Sequence, residues 1–442
     1  MSNNIKGIPY SIAEFDKEGN PLIQPTVPAG TTDLIVASHG WNNDRNDAEL
    51  LYTKLFGNFA DVTASDPAIK QRKLAIIGVI WPSKKFDEFM TQPVSNKKAG
   101  GAASSGVVDK AASEAEMHAA IDLAAPLFDD AGDDERIAAL HKLVPKLEDD
   151  IDAQLEFVEK LRGLLDPNGS QADQQSKDDG SAVFFRAQGD VVFSRAAAPS
   201  DATPVAPATK SDGPDESVGR AAGIGNFFSS AAHAVSNLLN LTTYFEMKQR
   251  AGNVGKIGLA PLLDKLANQV ERIHLAGHSF GARVVTAAAA NSTTNKLHTL
   301  TLLQAAFSHN GFSQKRNGFF RSVVKNKRIS GPTFVTYTKN DRAVSIAYPA
   351  ASRISRDNAS GFGDADDEFG GLGSNGAQQM EEGEVFPDTR KLLPIGQPYH
   401  WQLGKFHNLE SSEFIIDPDG GDAHGWVFVP QVAWALSRAI VS

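Results

Sequence analysis

Apolar and polar positions follow a clear rhythm over the first eighty residues. Tyr10, Ile12 and Phe15 run into Asp16-Lys17-Glu18-Gly19, a turn-forming stretch, so residues 8–26 read as a short hairpin. Residues 33–38 (Asp-Leu-Ile-Val-Ala-Ser) form a compact apolar run suited to a buried strand. Asp44 is placed to cap a helix over 46–60, with Leu50, Leu51, Leu55 and Phe59 on one face. Residues 74–81 form a second apolar run, stopped by Pro82. Strand, helix, strand is the opening of a parallel sheet.

The rhythm is lost between 85 and 235, a segment rich in Ala, Ser, Asp and Gly. Within it, Ile137, Leu140, Leu147, Ile151, Leu155, Val158 and Leu161 keep near-helical spacing and predict a helix over 135–165, kinked at Pro145. Residues 167–220 read as a flexible loop. Order resumes near 224. Helices are expected at 225–239, 257–269, 281–291 and 427–441, and strands at 272–276, 299–304 and 333–338. Residues 355–385 read as another loop, rich in Gly, Asp and Glu. The expected fold class is α/β, with a mostly parallel central sheet and helices on both faces. Residues 1–84 and 236–442 form its core, and 85–235 is an acidic insertion, a candidate cap or lid.

Charge sharpens this division. The chain has 442 residues and a net charge of -10. Residues 101–220 carry 24 acidic and 11 basic side chains, an excess larger than that of the whole chain, so the remainder is slightly basic. An acidic chain repels phosphate backbones, and nucleic acid is not an expected partner. There is no cysteine, which removes disulfides, thiolate metal sites and a cysteine nucleophile. The first residues lack a basic stretch followed by an apolar one, so no signal peptide is expected. No apolar run reaches membrane-spanning length, and no transmembrane segment is expected. Cytoplasmic placement is the default expectation, with export by a route needing no cleavable signal left open.

One pentapeptide carries chemistry. Gly277-His278-Ser279-Phe280-Gly281 fits the pattern Gly-x-Ser-x-Gly, directly after an expected strand and at the start of a small-residue helix. A serine on so sharp a turn exposes its hydroxyl above the sheet edge, and the flanking glycines remove side chains that would collide there. The N–H of Phe280, at a helix start, faces the same space and favours developing negative charge.

A serine hydroxyl needs a histidine to take its proton, and the histidine needs a carboxylate to hold it. Asp341 follows the expected strand 333–338, on the same sheet edge as Ser279; turn formation is its plain alternative. Asp364, Asp366 and Asp367 are poorer rivals, because no strand leads into them. His424 lies in a glycine-rich loop before the last helix and is the candidate base, with His407 and then His400 as rivals. Trp41, after the tight turn allowed by Gly40, is the second candidate oxyanion donor beside Phe280; packing on the sheet edge is its plain alternative. His39, Asn42 and His278 are candidate substrate contacts.

Taken together, residues 36–41 (Val-Ala-Ser-His-Gly-Trp), 80–83 (Ile-Trp-Pro-Ser) and 277–285, with the late Asp341 and the terminal His424, resemble the bacterial α/β-hydrolase superfamily in its esterase and lipase branch. The resemblance covers about 30–83, 240–345 and 405–442. It implies the α/β-hydrolase fold and a two-step acyl transfer on a small-molecule or lipid ester, in which Ser279 is acylated and water releases the acid. The insertion has no counterpart in the resemblance.

Alternatives stand beside this reading: an amidase or peptidase on the same triad, a lipase-type secreted effector, and a non-catalytic binding protein that keeps the fold. Residues 223–239 are either a core or cap helix or an interfacial helix that turns Phe227, Phe228, Val235, Leu238 and Leu239 to lipid. No metal and no cofactor is expected. The acidic run from Asp364 has Phe369 where a calcium loop needs glycine, and no glycine-rich phosphate loop follows a strand.

Overall fold

The computed structural model describes residues 4–83, 110–165, 181–197, 228–341, 343, 370–388 and 390–442. The chain divides into two compact units, one of residues 1–87, 171–182 and 244–442, the other of residues 88–170 and 183–243.

The first unit is built on a mixed, mostly parallel sheet. Its strands are β1 (Asn4–Ile5), β2 (Ile8–Phe15), β3 (Pro21–Ile23), β4 (Asp33–Ser38), β5 (Leu74–Ile80), β6 (Arg272–His278), β7 (Leu297–Leu303), β8 (Thr333–Tyr337) and β9 (Phe406–Glu410). Their order is β1-β2-β5-β4-β6-β7-β8-β9, with β3 joined to β2. From β2 to β9 every neighbouring pair on that path is parallel, while β1 and β3 meet β2 antiparallel. The expected hairpin is β2 and β3. The parallel pairing of β2 with β5 and the strand β9 were not expected from the pattern of the chain.

All residues of β4 and β7 are buried, as central parallel strands require. Side chains alternate between the two faces. Ile35, Ala37, Ile76 and Ile80 join one apolar cluster with helix α1 (Arg45–Thr63) and the C-terminal helix, here α9 (Pro430–Ile440). Helix α8 (Phe280–Asn291) packs on β4, β6 and β7 and contributes nothing to that cluster, so it covers the opposite face. It is backed by the wide turn Val254–Leu259 and by α7 (Ala260–Leu266).

Helix α1 starts where expected. The Asp44 carboxylate accepts from the Asp47 N–H, and the Asp47 carboxylate accepts from the Asp44 N–H. Its buried face differs from the expectation. Leu55 and Phe59 are buried as expected and Leu51 partly so, but Leu50 is 53% exposed, and Ala48, Tyr52 and Phe56 complete the buried face. Tyr52 tolerates burial because its hydroxyl donates to the Val79 carbonyl and accepts the N–H of His39.

In the second unit the helix expected over 135–165 is two helices, α3 (Asp133–Leu143) and α4 (Ile151–Leu165), separated by a tight turn at Val144–Lys146. Pro145 has no N–H to continue the ladder and ends the helix rather than bending it. Helix α2 (Lys110–Ala124) meets α3 through His118 and His141, whose Nδ1 atoms lie 2.7 Å apart. The loop expected over 167–220 is described only in part. Within it Gly189–Ala197 is a helix, α5, whose Phe193 packs edge-on against Phe157 of α4. Helix α6 (Phe228–Asn253) crosses from the second unit into the first. Val235, Leu238 and Leu239 of α6 are buried in protein, so they do not form a lipid-facing surface, and Phe227 lies outside the described residues. No helix among the described residues is long and apolar enough to cross a membrane.

A buried polar layer holds the N-terminal ends of the central strands. Asp33 is fully buried and takes bonds from His274 Nε2 (3.0 Å), Arg72 Nη1 (3.0 Å) and Thr32 Oγ1 (2.7 Å). His274 Nδ1 accepts the Thr299 hydroxyl at 3.0 Å. Burial pushes the Asp33 carboxyl up, but its hydrogen bonds from His274 and Thr32 and the charge of Arg72 outweigh that and hold it at about 2. Burial pushes His274 down, so its Nε2–H is a neutral donor. The folded value of Asp33 lies below its ordinary 3.8, so its stabilisation is complete above that pH and is lost as pH falls toward 2. Asp33→Asn should therefore cost about 3 kcal/mol or more at neutral pH. In urea titrations the gap between wild type and variant should narrow as pH falls from 3.8 toward 2. An unchanged gap across that window would show that the Asp33 charge contributes nothing.

Candidate active site

The candidate residues Ser279 and Asp341 follow the C-terminal ends of β6 and β8, the edge where ligand sites of open α/β sheets lie. Ser279 follows β6 directly and opens α8, with φ 54° and ψ −123°. A serine pays a conformational penalty there. The chain holds it because backbones pack around it more closely than any side chain allows. A Cβ on Gly281 would lie 2.2 Å from the Ser38 carbonyl oxygen and 2.3 Å from that of His39. One on Gly277 would lie 2.4 Å from the Gly281 carbonyl oxygen, and one on Gly40 would lie 2.6 Å from the Ser279 Cβ. The Ser279 N–H donates to the Leu303 carbonyl, and the Ser279 carbonyl accepts from Ala282 and Ala306.

Asp341 and His424 meet. His424 Nδ1 donates to Asp341 Oδ2 at 2.9 Å, and the Asp341 side chain is fully buried. Asn340 supports this pair from the neighbouring position. Its carbonyl accepts the Ala423 N–H at 3.1 Å, and its amide donates to the carbonyls of Ser412 and Ile415. The chain on both sides of the Asp341–His424 bond is thus tied together. The turn chemistry of Asn340-Asp341 was legible in the sequence as an alternative to catalysis; in the structure Asn340 builds the turn and Asp341 holds the histidine. Burial by itself lowers the affinity of His424 for a proton, but the charge and hydrogen bond of Asp341, with Asp422 adding, outweigh it and raise its pKa above the ordinary value.

Ser279 and His424 flank His278. The His278 and His424 rings lie 4.8 Å apart, centre to centre, and His278 Nε2 donates to the His424 carbonyl at 2.8 Å. Among the described residues the Ser279 hydroxyl itself has no hydrogen-bond partner. Nucleophile and base commonly close up only around a bound substrate.

The two candidate oxyanion donors lie on the chain segments that converge at Ser279. No backbone hydrogen bond takes up the N–H of Trp41 or of Phe280 among the described residues. The Phe280 N–H is one of the unsatisfied donors at the start of α8. The Trp41 ring meets the Phe280 ring edge-on at 6.0 Å.

The remaining candidates separate. His39 is fully buried, donates from Nδ1 to the Gly40 carbonyl (2.9 Å) and accepts the Trp81 N–H at Nε2 (3.3 Å). Its ring stacks on Trp81 at 5.5 Å, and burial pushes its pKa down to about 4. With both nitrogens engaged, His39 braces the loop instead of meeting a ligand. Asn42 is exposed, with φ 65°. His407 is fully buried on β9, where Nε2 takes the Gln402 N–H, and His400 is exposed on the surface. Neither is placed on Asp341. Asp364, Asp366 and Asp367 lie outside the described residues. Gln304, unremarked in the sequence, is fully buried at the end of β7 with φ 39° and accepts the Thr336 hydroxyl. No group of three or more metal-ligating side chains occurs among the described residues.

Comparison with protein-family models, with curated proteins and with solved structures finds no match.

The glycine contacts make a direct prediction. Gly281→Ala should cost about 2 kcal/mol or more, because the opposing atoms are backbone carbonyls that cannot move aside. Thermal melting should show a markedly lower midpoint. A variant that melts like wild type would mean that the turn is looser than described.

Proposed function

We propose that this chain is a serine hydrolase of the α/β-hydrolase type that cleaves carboxylic esters of small molecules or lipids. The observation that carries the reading is the bond from His424 to buried Asp341 at the sheet edge where Ser279 stands on a strained strand-to-helix turn. The chain order of Ser279, Asp341 and His424 supports it.

In this mechanism His424 Nε2 takes the hydroxyl proton as Ser279 Oγ attacks the ester carbonyl. Asp341 keeps Nδ1 protonated and directed away from the serine, and it stabilises the imidazolium that forms. The N–H groups of Phe280 and Trp41 bind the oxyanion of the tetrahedral intermediate. Collapse expels the alkoxide, which takes the proton back from His424 and leaves as the alcohol. Water then attacks the acyl-serine with His424 again as base. The acid leaves, and the proton returns to Ser279.

A fluorophosphonate probe should label wild-type protein and fail to label Ser279→Ala of equal stability. Nitrophenyl esters of increasing acyl length should be hydrolysed by wild type alone, and the length preferred would identify the acyl group. A folded wild type that neither takes the probe nor cleaves any ester, with or without detergent, would overturn the reading.

The acid limb of the rate follows from His424. The base works unprotonated, so activity should be present above its raised pKa and fall as pH drops through it. Asp341→Asn removes the anion that raises it. In that variant kcat should fall by about four orders of magnitude, and the residual acid limb should move to lower pH. A limb that stays in place would mean that Asp341 does not set the state of His424.

A further inference from the structure

His278 touches the segment carrying the base and also adjoins Ser279 in sequence. It is buried, 7% exposed, beside Ser279 at 4%. Its Nε2–H is committed to the His424 carbonyl at 2.8 Å, and its Nδ1 is buried with no hydrogen-bond partner. Gly40 is pressed against it, since a Cβ at that position would lie 3.2 Å from His278 Nδ1. The ring is therefore held in one orientation and one tautomer.

The segment it holds needs holding. Gly420, Gly421 and Gly425 surround the base, Gly420 with φ 76°, and Gly421, Asp422 and Gly425 are exposed. Such a loop fixes a side chain poorly by itself. Local bonds hold part of it, the His424 N–H to the Asp422 carboxylate and the Trp426 N–H to the Ala423 carbonyl, and two bonds tie it to distant parts of the chain: the Ala423 N–H to the Asn340 carbonyl, and the His424 carbonyl to His278. Asp341 then fixes the imidazole.

Resting on the serine hydrolase reading, we infer that His278 is a positioning residue, a neutral imidazole that clamps the backbone of the catalytic base next to the serine it serves. The role requires a ring that stays uncharged when its neighbour gains a proton. A second imidazolium 4.8 Å away would oppose protonation of His424 in each half-reaction. Burial, reinforced by the charge of His424, holds His278 at about 3, so it remains neutral through the working range.

Two measurements test this. In the first, His278→Leu and His278→Gln are compared with wild type in fluorophosphonate labelling and ester turnover. Gln keeps an N–H donor and Leu does not. His278→Leu should label and turn over about tenfold to hundredfold more slowly with little change in KM. Its acid limb should move to lower pH as the Asp341–His424 contact loosens, and His278→Gln should recover much of the loss. A folded His278→Leu that labels at the wild-type rate, with an unmoved acid limb, would overturn the inference while leaving the hydrolase reading intact. In the second, nitrogen NMR of histidine-labelled wild type should show His278 as the neutral Nε2–H tautomer while His424 titrates. This holds even if the leucine variant does not fold. A His278 that titrates together with His424, or carries its proton on Nδ1, would overturn the inference. Failure of wild type to label would instead count against the hydrolase reading itself.

Discussion

The close approach of backbones around Ser279 is the constraint on which the rest of the site depends. Gly281 lies against the carbonyls of Ser38 and His39, Gly277 against the turn that follows it, and Gly40 against the serine's own Cβ. These contacts bind the end of β4 to the end of β6 and the start of α8. They also supply what a serine at φ 54° lacks by itself, a surrounding that permits no more relaxed conformation. The same contacts bring the Trp41 segment beside the Phe280 N–H. Tyr52, His39 and Trp81 extend the brace inward, each bonded to the next by backbone groups. His39 is thus spent on the geometry of the loop, although its type and place suggested a ligand contact.

The sheet serves two chemically different edges. At the C-terminal ends of the strands, loops from β4, β6 and β8 and the segment after β9 place a serine, an acid and a base. At the N-terminal ends, Asp33, His274, Thr299 and Arg72 form an enclosed polar layer. Both edges contain an aspartate bonded to a histidine, and surroundings separate their roles. His274 is sealed and kept neutral by burial. His424 retains partial access and is raised by its carboxylate. The two Asp–His pairs thus differ in access and in the direction in which the histidine is shifted.

Much of this was legible in the chain. Fully apolar runs identified the buried strands β4 and β5, and the flanking glycines of 277–281 identified the turn, because steric demands at those places leave few residue choices. That Asp341 and His424 meet was an expectation drawn from their positions after a strand and before the last helix, and the structure bonds them at 2.9 Å. Other features were not legible. Strand β9 is short and mixed in character, Phe-His-Asn-Leu-Glu, with no run to distinguish it from a loop. The buried face of α1 departs from the expectation at Leu50, which is exposed, while Tyr52 is buried with its hydroxyl held by two backbone partners. Pro145 sat inside a helical pattern that continued beyond it, and spacing alone does not separate a bend from a break. The roles of Asn340 and His278 depend on backbone partners distant in the chain, which no local pattern encodes.

The packing of α1 against α9 has a consequence for how the molecule forms. Asn58 on α1 donates its amide to the Phe428 carbonyl, across 370 residues of intervening chain. The apolar cluster beneath these two helices closes only when both are present. Contacts of such long range make folding slow, and the first strands to emerge during synthesis must wait with one face of the nascent sheet uncovered. Inserting a helical unit between β5 and β6 worsens this delay only slightly, since closure entropy grows with the logarithm of loop length. The loop that carries His424 lies just before the C-terminal helix, so a partly made chain can hold the Ser279 turn before the partner of Asp341 has been synthesised.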